Sequence, residues 1–165
     1  MPVFAVGLFC SFIYQPKIKH LGDLFHLKKI PEIIREVRRM IVVILVVAVV
    51  FGLGAYWFGI PFLSLLYSTD LSVYHTEFMI LMIASGMMAY INYFNVILVV
   101  IRQQKKMFWG YLSSVLVAIL ILPFSVRRHG IFGASVSYTA ILTLQSILLF
   151  IIVWNSIKGE LQHDA

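Results

Sequence analysis

Two asparagines, Asn92 and Asn95, stand three residues apart inside Phe78–Ile101, a run of 24 residues without formal charge. That spacing places both amides on one helix face, together with Met88 and Val99. Within an apolar helix such groups either bond across to neighbouring helices, the commoner use, or line a path for a polar substrate. A second polar stripe, Ser135, Thr139, Thr143 and Ser146, recurs at intervals of four, four and three, again along one helix face. It is expected to look into a bundle or cavity and not at lipid. Arg127 and Arg128 have the chemistry to attract a phosphate group, although two arginines in a solvated turn need no partner. Asn92, Asn95, Ser135, Thr139, Thr143, Arg127 and Arg128 are therefore the candidates for a substrate path. Their chemistry is binding, not bond-making. The chain has no glycine-rich phosphate loop, paired-histidine zinc motif or serine elbow, and its single cysteine, Cys10, can build neither an internal disulfide nor a cysteine metal cluster. No catalytic residue, metal or cofactor is expected.

The elements that must hold these residues are set by composition. With 61% hydrophobic and only 12% charged residues over 165 positions, the chain is too apolar for an ordinary soluble domain. A net charge of +6 invites nucleic acid as a partner. The basic residues, however, fall in short segments between apolar runs and not on a face with interleaved aromatics, so orientation in a membrane accounts for them and nucleic acid is not expected. The fold class implied is all-α, a polytopic membrane helical bundle.

Residues 1–14 are apolar but short, lack the basic start and cleavage site of a signal peptide, and read as a partial transmembrane helix. Residues 15–39 form a basic cytoplasmic loop containing an amphipathic helix: Pro31 suits a helix start, Glu32 its first turn, and Ile30, Ile33, Ile34, Val37 and Ile41 recur at helical spacing. Residues 40–157 supply a four-helix transmembrane bundle with spans at about 40–66, 78–101, 107–124 and 131–154, and 158–165 form a cytoplasmic tail. A run of about 20 apolar residues crosses a hydrocarbon core about 30 Å thick, and strand is excluded because each span must satisfy its own backbone in lipid. Pro61 is expected to end or kink the first full span and Pro123 to stop the third. Gly52, Gly86, Gly110 and Gly133 are read as helix-packing glycines. Asp70 suits the cap of a turn, and Glu77 lies near a helix start where the dipole favours it. All but two of the 13 Lys and Arg residues fall on one side of this arrangement, leaving Arg127 and Arg128 on the other. The majority side, which includes the C-terminus, is expected to be cytoplasmic and the protein to sit in the cell membrane.

The order of features resembles the C-terminal half of the polysaccharide and oligosaccharide flippases of the MOP exporter superfamily. The likeness rests on IPFLSLLYSTDLSVY closing one span, a long helix ending VIRQQKKM, and a short hairpin into HGIFGASVSYT, and covers roughly residues 15–157. It parallels that family's "llyg" turn, basic turn and "GixGA" helix start, with Ser68 where the family often has glycine. The resemblance implies a transporter of about twelve or more helices in two bundles, flipping a lipid-linked oligosaccharide across the cytoplasmic membrane by alternating access. On that reading the chain is a C-terminal fragment, split-gene product or truncated relative, whose partners are membrane lipid, the lipid-linked oligosaccharide, and a missing N-terminal helical half or another membrane subunit. Two alternatives stand beside it: a small multi-span accessory protein without transport activity, and part of a drug or metabolite exporter of the same superfamily.

Overall fold

A computed structural model describes residues 2–27, 30–67 and 72–163. Every regular element among them is helical. Helix α1 spans Pro2–His26 and α2 spans Ile30–Gly54. A π-helical segment, Ala55–Gly59, joins α2 to the short α3, Ile60–Tyr67. A 3-10 turn, Ser72–Tyr74, leads into α4, His75–Val100. The last element, α5, spans Gln104–His163 and is broken at Gly130 into arms 104–129 and 131–163. Asp70 and Ser68 lie outside the described residues.

The protein is helical and of membrane type. Three helical stretches are long and apolar enough to cross a bilayer: Pro31–Leu65, His75–Val100 and Gln104–Ile157. The third contains both of the later segments expected from the sequence, 107–124 and 131–154, one in each arm. Helix α1 does not stop at residue 14. It continues through Pro16 into the region read as a loop, because its buried stripe of Cys10, Tyr14, Leu21 and Leu24 continues past the first charges. Packing that stripe outweighs the one backbone bond that Pro16 removes. Likewise α2 begins in the basic segment and runs without interruption into the first full span.

Two prolines in the path of helices, Pro61 and Pro123, do not end them. Pro61 does not end its span. The π turn immediately before it widens the backbone where the proline cannot donate to residue 57, so the chain stays helical to Tyr67. Pro123 does not stop its helix either: the arm runs on to His129, and the break falls at Gly130 with φ 56° and ψ −132°. Only glycine occupies that region of backbone space readily, which is why the turn sits there.

Helix α4 is the axis of the bundle, with α1, α2 and α5 all packed on it. Its buried residues lie on several sides, among them Ala84, Gly86, Ala89, Ile91, Phe94, Ile97 and Leu98. Against them come Ile33, Val37, Met40 and Ile44 of α2, and Leu149, Val153 and Ile157 of the second arm of α5, each set at three- or four-residue spacing. The turn from α4 to α5 is tight. Gln103 N donates to Leu98 O at 2.9 Å and Arg102 N to Val99 O at 3.1 Å, a Schellman closure with Arg102 in the left-handed position at φ 55°.

The glycines expected to pack helices separate into two groups. A Cβ on Gly86 would lie 3.2 Å from Ala48 Cβ, and one on Gly110 would lie 3.3 Å from Ile152 Cδ1. At Gly133 it would strike the Ser125 backbone. Gly52 faces open space, so no packing contact explains it. At Gly59 the Phe78 ring occupies the place of the missing side chain.

Candidate functional site

The polar residues inside the bundle are spread along its helix seams. Asn95 donates its Nδ2 to the Tyr111 hydroxyl at 2.5 Å, linking α4 to the first arm. Its Oδ1 is buried with no hydrogen-bond partner. Asn92, one turn earlier, turns toward α1 instead: a Cβ on Gly7 would lie 3.7 Å from its Nδ2. The two asparagines therefore serve different neighbours, although they share a broad face.

The hydroxyl stripe of the second arm is self-satisfied. Ser135 donates to Ile131 O at 3.1 Å, Thr139 to Ser135 O at 2.9 Å and Thr143 to Thr139 O at 2.8 Å, each four residues back along its own helix. Thr139 also lies 3.2 Å from Ile80 O, which ties the arm to the start of α4. The stripe thus lies along the helix–helix seam. Ile80 and Asn95 are 15 positions apart, or about 22 Å along α4 at 1.5 Å per residue. The hydroxyls and the amides are not brought into one cluster.

Arg127 and Arg128 are exposed where the first arm approaches the Gly130 break. The Arg128 guanidinium stacks over Phe124, 4.5 Å from the ring centroid, a contact that holds the cation on the helix surface. Neither arginine reaches the buried amides.

Sequence reading passed over several polar groups that the fold turns inward, among them Gln145, Ser156 and Glu36. Gln145 is buried in the second arm, on the core-facing side with Leu149, and its Nε2 has no hydrogen-bond partner. Ser156 shares that face, and its hydroxyl is also unpartnered. The signal for Gln145 was available, since a lone amide within a long apolar span calls for a bonding partner or a function. Glu36 could not be picked out from among the charges of the basic segment. The structure turns it inward, where Lys17 of α1 lies 3.5 Å from its Oε2. Beside this pair is a space of about 20 Å³, bordered by Tyr14 and Tyr93 and large enough for one water molecule.

The arrangement can hold polar groups away from lipid, and it leaves the Asn95 carbonyl oxygen and the Gln145 amide nitrogen with unused bonding capacity. Among the described residues no group of three metal-binding side chains comes together. Fold and seam define the class: a helical membrane protein with a buried amide-bearing core helix. Compared with known families, characterised proteins and solved structures, the chain has no match in any of the three.

Proposed function

We propose that this chain forms the second helical lobe of a flippase-type transporter, acting on a lipid-linked oligosaccharide together with a complementary first lobe. The observation that carries the reading is the helical hairpin of α5. Its break falls on Gly130, the first residue of the GIFGAS motif, and Gly133 of that motif lies against the Ser125 backbone with Ser125 Oγ donating to Gly133 O at 3.1 Å. A tight turn before a small-residue helix start is what the resemblance to that superfamily leads one to expect. The unused amide capacity at Asn95 and Gln145, inside the bundle, is of the kind that sugar hydroxyls engage. In transporters with paired lobes the substrate path lies between the two lobes, so the second lobe alone is not expected to transport.

The test is export of a surface polysaccharide in a flippase-deficient bacterium, with the chain expressed alone and then with a complementary N-terminal half. Export restored only by the pair is the expected result. No export in either case, with both proteins present in the membrane, would refute the reading and favour an accessory role.

A further inference from the structure

The outward face of α2 changes character along its length in a way that its buried face does not. Arg35, Arg38 and Arg39 are exposed. The same face continues as Val42, Leu45 and Val49, exposed by 53%, 52% and 51%. At 100° per residue these six side chains share one side of the helix, opposite the buried Val37, Met40 and Ile44. Glu36, the nearest acid on α2, points to the buried side, where it meets Lys17. Among the described residues no salt bridge holds Arg35, Arg38 or Arg39, and Glu32, three residues before Arg35, stands on the flank of their face.

Below the arginines, α2 and α4 part to leave an open groove of about 520 Å³. Its walls include Leu45, Val49 and Gly52 on one side and Gly86, Met87 and Tyr90 on the other. The wall is apolar and, at Gly52, free of any atom that a side chain would meet. From Arg38 to Val49 is 11 positions, about 16 Å along the helix. That is close to half of a hydrocarbon core about 30 Å thick, the depth of one leaflet.

We propose that this face binds one anionic glycerophospholipid, its phosphate held by Arg38 and Arg39 with Arg35 alongside, and one acyl chain running down the valine–leucine stripe into the α2–α4 groove. Charge complementarity selects the headgroup, since guanidinium donors match phosphate oxygens in geometry and charge. Continuity of the exposed apolar stripe with the groove selects a lipid over a free anion. A sugar-linked substrate is not required, so the site stands or falls independently of the transport reading.

The test uses the whole chain purified in a neutral detergent, with binding of dioleoyl phosphatidylglycerol followed by native mass spectrometry. Dioleoyl phosphatidylcholine and inorganic phosphate serve as separate probes. Each juxtamembrane cation is worth about fivefold in affinity for an anionic lipid, so R38Q/R39Q is expected to weaken phosphatidylglycerol binding roughly 25-fold. The charge-matched K105Q/K106Q, exposed just after the α4–α5 turn and off the α2 face, is expected to leave it unchanged. Gly52→Phe, which fills the groove without touching a charge, is expected to weaken it while keeping the far-UV helical signal. Equal losses in the two basic pairs would mean general electrostatics and overturn the proposal. So would equal binding of phosphatidylcholine, competition by inorganic phosphate at millimolar concentration, or no effect of Gly52→Phe.

Discussion

Placing a methyl group at Gly133 and at Gly52 should move stability in opposite directions. At Gly133 the new Cβ would lie 2.9 Å from His129 Cβ and 3.0 Å from the Ser125 carbonyl carbon. The obstacle is largely backbone, so no rotamer change relieves it, and the two arms of α5 must move apart. Overpacking of this kind costs about 1–3 kcal/mol. Separation also removes the Ser125 to Gly133 hydrogen bond, worth about 0.6 kcal/mol in a membrane bundle. Alanine regains about 1 kcal/mol of helix propensity, leaving a net loss of about 0.6–2.6 kcal/mol. At Gly52 nothing lies within 4 Å of the added atom, so only the propensity gain of about 1 kcal/mol remains. For a chain of 165 residues each kcal/mol moves the midpoint by about 2–4 °C. Thermal unfolding in one detergent, followed by circular dichroism, should show Gly133→Ala lowered by about 1–10 °C and Gly52→Ala raised by about 2–4 °C. A Gly133→Ala midpoint at or above that of the parent would refute the close approach of the two arms.

Gly130 tests the conformation of the break itself. With φ 56° and no neighbour within 4 Å, Gly130→Ala meets strain without a clash and should cost about 1–3 kcal/mol, read as a lowered unfolding midpoint. Arg102 presents the reverse case: a non-glycine residue holds a left-handed position, so Arg102→Gly should raise the midpoint, by at most about 1–2 kcal/mol. A lowered midpoint there would show that the arginine side chain contributes more than its backbone strain. For the amide seam, a double-mutant cycle of Asn95→Leu and Tyr111→Phe should give a coupling of about 0.6 kcal/mol and not above about 1.7. Zero coupling would mean that the 2.5 Å bond between them does not bind the helices.

The long uncharged runs announced their helices because lipid leaves a chain no other way to satisfy its backbone, and the basic turn at Arg102 was legible from the same contrast of charge and apolarity. The prolines were a partial guide. A rule that proline ends a helix describes local cost, whereas Pro16, Pro61 and Pro123 all sit in helices whose packing outweighs it, with a π turn absorbing the cost at Pro61. Glycine spacing was likewise a partial guide. Gly133 and Gly52 look alike in sequence, and only the third dimension shows a backbone beside one and open space beside the other.

The candidate site shows the same division between periodicity and contact. Spacing correctly puts Ser135, Thr139 and Thr143 along one face, but it says nothing about where their protons go, and each hydroxyl turns back to its own helix. A hydroxyl committed to a carbonyl four residues back offers a passing sugar only its acceptor lone pairs. Asn95 and Gln145 differ in this respect, because the first keeps a free acceptor and the second a free donor within the seam. Leaving such groups buried and unpaired costs about 1–3 kcal/mol each. On the proposed flippase reading, a substrate that opens the seam would recover that cost by bonding these two amides first. Replacing Gln145 with leucine should therefore stabilise the isolated chain in detergent while reducing export by the reconstituted pair. Stabilisation with undiminished export would remove Gln145 from the substrate path and leave it a packing residue.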